Sequence, residues 1–177
     1  MATHVPDEEL LLALLNSTPV IDGHPEDRLA DPAGTASYLH SAGAEIGGDL
    51  GTDEHAGLLR ARDLLQSVVD GEHAPAVLAP LLTGVGSTPH VTGEGIAWSL
   101  TTPDGTRTAV RAVLAWDRLT RDLPGRLRPC ANGDCRLYFV DRSRPGTGRW
   151  CSMAVCGNRM KARRHHSRTT GSRTDGR

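Results

Sequence analysis

Residues 130–156 read CANGDCRLYFVDRSRPGTGRWCSMAVC and hold all four cysteines of the 177-residue chain. Four residues separate Cys130 from Cys135, four separate Cys151 from Cys156, and fifteen lie between the pairs. Zinc takes four soft or borderline ligands in a tetrahedron, and two short loops can each supply two of them. The expected metal ligands are therefore Cys130, Cys135, Cys151 and Cys156, holding one structural Zn2+. Two disulfides would use the same even count, but they need an oxidising compartment. A site of four thiolates also accepts iron, with zinc the default.

Between the pairs, Leu137–Val140 is expected to form a strand, with a Ser-Arg-Pro-Gly turn at 143–146 and a return through Trp150. Such a hairpin would bring both cysteine pairs to one ion. After Cys156, Gly157 stands where a sharp turn at positive φ is expected. Asn158 is then the N-cap, and a basic helix starts at Arg159 in RMKARRHHS; the alternative starts the helix at Ser152 with Gly157 inside it. Large apolar side chains are few after residue 126, so burial alone would not offset chain entropy and the metal is expected to be required.

Charge divides the chain at the same place. Residues 1–125 hold seven Arg against eighteen Asp and Glu, net −11, whereas residues 126–177 hold twelve Arg and one Lys against three Asp, net +10. A split of this size points to a polyanionic partner for the basic segment. Duplex DNA is the expected partner. Arg163 and Arg164 are candidates for base edges, because bidentate arginine on guanine is the commonest specific contact. Arg159, Lys161, Arg149 and Arg168 are candidate phosphate contacts. Arg159 could equally hydrogen-bond carbonyls beside the thiolates, and Arg149 could sit on a solvated hairpin with Arg136, Arg142 and Arg144. Readers of single-stranded RNA expose stacking aromatics, and here Tyr138, Phe139 and Trp150 are needed for the small core, which favours DNA.

The acidic part reads as mainly helical. PDEELLLALLN has acids beside a helix N-terminus. DPAGTASYLHSAG offers Asp31 as N-cap, Pro32 at N1 and Gly43 as the stop. In TDEHAGLLRARDLLQSVVDG, Thr52 is the expected cap, and Leu58, Ala61, Leu65, Val68 and Val69 share one helical face. APAVLAPLLTG is expected to form a short helix, PHVTGEGIAWSLTT a hairpin turning at residues 93–95, and TPDGTRTAVRAVLAWDRLTRDL a last helix, with Thr102 or Thr106 as cap, that stops at Pro124-Gly125. GVGSTP at 84–89 is expected to be a flexible turn, lacking the lysine and context of a phosphate loop. DGHPED at 22–27 is expected to be a polar turn. No catalytic constellation is present, so an enzyme is not expected. The opening residues have no basic n-region and an apolar run of six, neither a signal peptide nor a membrane span, so a cytoplasmic location is expected.

CANGDC, followed by CSMAVCGNRMKARRHH, closely resembles the CGNR zinc finger. LLNSTP, DRLADPAGTASYL and LLRARDLL are similar to the ABATE domain that stands before such fingers. The resemblance implies a transcription regulator, linked to stress responses, that binds DNA through the finger. The expected architecture is α+β: a mainly helical domain with a small β-hairpin over residues 1–125, then a treble-clef-like zinc-binding hairpin and helix over 126–168. Residues 169–177 form a basic tail expected to be disordered. The helical domain would sense a small-molecule effector or form a homodimer. The alternative is a zinc-stabilised module that contacts RNA or protein without reading a DNA sequence.

Overall fold

A computed structural model describes residues 7–21, 23–46 and 50–171, except for the side chains of Arg164, His165 and residues 167–171. Five α-helices and three two-stranded antiparallel sheets make an α+β fold among these residues. No helix among them is long and apolar enough to cross a membrane.

Helix α1 (Glu8–Leu15) is short, yet it forms the centre of the core. Leu10, Leu11, Leu14 and Leu15 are all fully buried. Because these residues occupy more than one face of the helix, it must be covered on several sides. Helices α2 (Pro32–Ser41), α3 (Thr52–Val69) and α4 (Arg107–Asp122) supply that cover. From α3 come Leu58, Ala61 and Leu65, and from α4 come Ala109, Ala112, Val113 and Leu119. Val68, Val69 and Trp116 are only partly buried around this centre.

The helix ends show which side chains do the capping. Asp31 caps α2 as expected, its carboxylate accepting from the Gly34 N–H at 2.9 Å, with Pro32 at the first position. Thr52 does not cap α3, because it is already inside the helix and Gly51 takes the cap position without a side-chain bond. Thr106 also makes no side-chain cap on α4. Glu54 of α3 does that work from outside, accepting from the Thr108 backbone N–H at 3.1 Å and from the Thr108 hydroxyl. A carboxylate at a helix N-terminus is favoured by the dipole, so this contact also locks α3 to α4.

Residues 75–82 form a 3-10 helix. The chain then enters a ribbon of β3 (Gly86–Thr92) and β4 (Gly95–Thr101) that turns at Gly93-Glu94. GVGSTP is therefore not a flexible turn throughout: its last four residues open β3, because Gly86 to Pro89 each have a partner across the ladder. Around DGHPED, β1 (Val20–Ile21) and β2 (His24–Pro25) flank a turn in which Gly23 has φ +84°. There Asp27 accepts from Arg62 and from the Leu29 N–H, ordering the loop rather than forming a site.

The last sheet departs from the expected pairing. Strand β6 (Tyr138–Val140) does pair, but with β5 (Leu127–Pro129) upstream, in the register Leu127 to Val140 and Pro129 to Tyr138. The segment returning through Trp150 contributes no strand, only the Arg149 carbonyl, which accepts from the Ala131 N–H at 2.8 Å. The cause lies in the helical domain. Leu127, Tyr138 and Val140 pack on its core, and Asn16 at the end of α1 clamps the Tyr138 backbone from both sides. The Tyr138 hydroxyl donates to Asp70 at 2.9 Å, and Arg142 binds both carboxylate oxygens of Glu8 at 2.6 Å. The β5–β6 hairpin thus joins the two parts of the chain.

Candidate metal centre and basic helix

The first cysteine pair sits in the loop that connects β5 to β6. Cys130 leaves β5 with its N–H donating to the Leu137 carbonyl at 2.8 Å, and the Cys135 N–H donates to the Asn132 carbonyl at 2.8 Å. These bonds curl the loop so that both sulfurs turn inward. The second pair sits at the head of the basic helix. Ser152 accepts from the Val155 N–H at 3.3 Å, and a π-helical turn runs over Met153–Gly157 before α5 (Asn158–Gly171) continues.

Helix entry therefore follows the alternative, with the helix capped at Ser152 and Gly157 inside it, and departs from the first expectation at two residues. Gly157 does not adopt positive φ, because the helix has already begun four residues earlier at Met153, and its N–H donates to the Ser152 carbonyl at 3.0 Å. Glycine there lets two side chains pass close to the backbone. A Cβ would stand 2.8 Å from the Met153 sulfur and 3.2 Å from Trp150 Cδ1. Asn158 is not an N-cap either; it is helical, and its amide donates to the Ala154 carbonyl at 3.2 Å. The helix also runs to Gly171, into the segment expected to lack structure, while residues 172–177 lie outside those described.

All four sulfurs lie within 4.8 Å of one another. Cys151 Sγ is 3.7 Å from Cys135 Sγ and 3.7 Å from Cys156 Sγ. Zinc–sulfur bonds of about 2.3 Å in a regular tetrahedron give edges of about 3.8 Å, so the spacing suits a shared ion. A disulfide needs about 2.05 Å, and all four cysteines are free. Asn132, fully buried between the first two ligands, points its amide N–H at Cys156 Sγ, 3.6 Å away. Such a donor stabilises a thiolate. These residues fit one structural zinc ion.

Ionisation of the set follows its surroundings. Burial pushes the Cys135 thiol up to about 11 and drives Cys151 further in the same direction, with neighbouring sulfurs opposing a second negative charge. Burial also raises Cys156, but hydrogen bonds from Asn132 and the other sulfurs outweigh it and leave this thiol below its ordinary value. A divalent cation offsets the burial and the repulsion together, which is how such sites hold four thiolates at neutral pH.

The segment from 141 to 149 is organised by a carboxylate that the sequence did not single out. Asp141 is buried, accepting from the Ser143 N–H at 3.0 Å and the Gly148 N–H at 2.7 Å, with Arg126 and Arg128 within 3.8 Å. Gly148 passes so close that a Cβ would meet the carboxylate at 2.7 Å. The Ser143 hydroxyl is the main influence on this carboxyl. Together with the two N–H groups and the Arg126 charge, it holds Asp141 below the usual carboxylate range, although burial opposes it. A depressed folded-state pKa stabilises the fold above the unfolded value, about 3.9 for aspartate, and the effect is lost as pH falls through the lower folded value. Urea midpoints should therefore favour wild type over Asp141→Asn near neutral pH, with the gap closing below about pH 4. A gap independent of pH would contradict this role for the charge.

Of the six candidate nucleic-acid contacts, Arg159, Lys161 and Arg163 are exposed on α5, and Arg149 is exposed nine residues before α5 begins, its guanidinium 5.1 Å over the Trp150 ring. Arg164 and Arg168 are on α5, but their side chains lie outside those described. Arg163 pairs with Asp134 of the first cysteine loop. That guanidinium, with a weaker pull from Arg159, holds the Asp134 carboxyl below its ordinary range. Sequence reasoning did not assign roles to Asn132, Asp134, Asp141 or Asn16. The one available signal was position, since Asn132 and Asp134 stand between two ligand cysteines.

Two family models match the chain. The CGNR zinc finger covers residues 126–169, and ABATE, described as "Putative stress-induced transcription regulator", covers residues 8–131. The two matches overlap in β5 and at Cys130, the place where the hairpin joins both parts. Neither family is an enzyme class. No curated protein matches the chain.

Proposed function

Because the chain belongs to the ABATE family and carries a CGNR zinc finger over residues 126–169, we propose that it is a DNA-binding transcription regulator. Zinc shapes the finger, α5 contacts duplex DNA, and the helical domain supplies sensing or dimerisation. One observation carries this reading: the helix that begins on the metal site presents Arg159, Lys161 and Arg163 to solvent and has no carboxylate from Asn158 to Gly171. Such a helix is repelled by nothing on a phosphate polymer and attracted along its length. Its N-terminal end lies at the sulfurs, so the ion and the cysteine loop fix where the positive charge points.

The pairing of Arg163 with Asp134 ranks the contacts. Arg163 reaches a base or a phosphate only by exchanging that carboxylate, whereas Arg159 and Lys161 have no such exchange among the ion pairs of the described residues. They are the main phosphate contacts of this reading, with Arg149, Arg164 and Arg168 extending the surface. Each phosphate neutralised on duplex DNA adds about 0.9 to the salt slope. Changing Arg159 and Lys161 together to alanine should flatten the plot of log affinity against log salt by about 2. Fluorescence anisotropy with a labelled duplex at several salt concentrations measures it. An unchanged slope removes α5 from the interface. Tighter binding to RNA than to duplex DNA, with no DNA sequence selected from a random pool, would favour a general interaction module instead.

A further inference from the structure

The β3–β4 ribbon leaves the helical body between the 3-10 helix and α4. Its register sets Ser87 opposite Leu100, Pro89 opposite Trp98 and Val91 opposite Ile96, so these side chains share one face. The opposite face pairs Thr88 with Ser99, His90 with Ala97 and Thr92 with Gly95. The first face is apolar and uncovered: Val91, Ile96 and Trp98 are 86%, 71% and 66% exposed. At the base of the ribbon Arg107 reaches the Leu100 carbonyl at 3.4 Å, and beyond it neither strand packs extensively on another element of the described residues. A lone two-stranded ribbon is marginal in water, and contiguous exposed apolar side chains mark a contact surface where single ones do not.

Composition narrows what covers this face. From residue 86 to 101 the ribbon carries one carboxylate, Glu94 at its tip, and no Lys or Arg. Nothing on it attracts nucleic acid or an anionic lipid surface, and no charge pattern selects a charged protein. The same face of a second copy needs no charge to match and is related to the first by a two-fold axis, the commonest symmetry of protein dimers. The three exposed side chains present roughly 400 Å² per copy, about half of the ~800 Å² per partner in a standard interface, before the flanking residues are counted. That area suits a reversible dimer.

We propose that the apolar face of the β3–β4 ribbon packs against the same face of a second copy, forming a two-fold-symmetric, four-stranded sandwich. The dimer would join two basic helices in one particle, but its formation does not depend on the DNA-binding reading. Sedimentation equilibrium of the full-length, zinc-loaded protein without nucleic acid tests it, from low micromolar to several hundred micromolar. The weight-average mass should rise from 18.9 kDa toward twice that value. Changing Ile96 and Trp98 together to threonine keeps good strand formers and removes the apolar contact, and should weaken association about tenfold or more. Val91→Glu should act alike with a single change, and Thr88→Glu on the other face should leave association as in wild type. Circular dichroism and melting of each variant show whether the body is intact, which none of these side chains helps to build. A wild-type chain that stays at 18.9 kDa throughout overturns the proposal. So does association that survives both apolar-face changes, or that Thr88→Glu disrupts equally.

Discussion

Removing zinc is expected to unfold the cysteine loops, residues 141–149 and α5, and to leave α1 to α4 in place. The reason is what the finger has inside it. Among the side chains described between 130 and 171, the buried residues are Cys130, Asn132, Tyr138, Asp141, Cys156 and Gly157, and Met153 and Val155 are each 55% exposed. Tyr138 belongs to the helical core. The remaining interior is sulfur, an amide and a carboxylate, which cannot offset the ordering of the chain by apolar burial. Structural zinc supplies about 10–16 kcal/mol in finger peptides near pH 7, so its loss exceeds what so small a unit can withstand. Without it, α5 has neither a nucleus nor an apolar face to hold it.

The experiment uses a strong chelator on the full chain, with Cys156→Ser as a second route to the same state. Far-UV dichroism should fall by about a fifth, the share of α5's 14 residues in the α-helices, while the remaining helical signal still melts cooperatively. In a background of Trp98→Phe and Trp116→Phe, Trp150 emission should move to the red as the ring loses its cover. Elemental analysis of the untreated protein should return one zinc per chain. Metal-free protein with unchanged dichroism and unchanged Trp150 emission would show that the sulfurs are not held by an ion.

The second large effect is expected from Asn16→Ala, far from the metal in sequence. Asn16 Oδ1 accepts from the Tyr138 N–H at 2.7 Å, and its amide donates to the Tyr138 carbonyl at 3.1 Å. Truncation leaves both backbone groups without these partners beside the core. At about 1–3 kcal/mol for each group left unsatisfied, and with some access for water, the expected loss is about 2–4 kcal/mol. Urea denaturation of the zinc-loaded chain measures it. Asn16→Asp keeps the acceptor for the N–H but sets a carboxylate oxygen in place of the amide nitrogen against the Tyr138 carbonyl, so near neutral pH its loss should be no smaller than that of Asn16→Ala. Hydrogen exchange at the Tyr138 amide should quicken in Asn16→Ala. Equal, small effects for both variants would mean that the hairpin is held by apolar contacts alone.

The outcome of the cysteine reading and that of the strand reading differ for a physical reason. Four sulfurs in two x4 loops describe a donor set, and a donor set carries its chemistry wherever the loops are placed. The helices of the acidic half were legible because a 3.6-residue apolar period is a local property; Leu58, Ala61 and Leu65 lie on the face expected of them. The partner of Tyr138–Val140 was not legible. A short apolar strand pairs with whichever neighbour lets its buried face reach a core, and that core belongs to α1 and α3, more than sixty residues away in sequence. The same holds for the ribbon: alternation from Pro89 to Leu100 announced a strand pair and could not say whether its apolar side would be covered.

By itself, then, the sequence determined the four ligands, the division between an acidic helical part and a basic metal-binding part, and the turn of the ribbon at Gly93-Glu94. These depend on ligand chemistry, charge and short-range periodicity, all of which act between near neighbours. Only the tertiary structure decided that β5 and β6 pair and bind the finger to α1, that Gly157 makes room for Met153 and Trp150 inside a helix already begun, and that Arg163 is matched by Asp134. Those depend on which atoms meet across long stretches of chain, and close packing settles them.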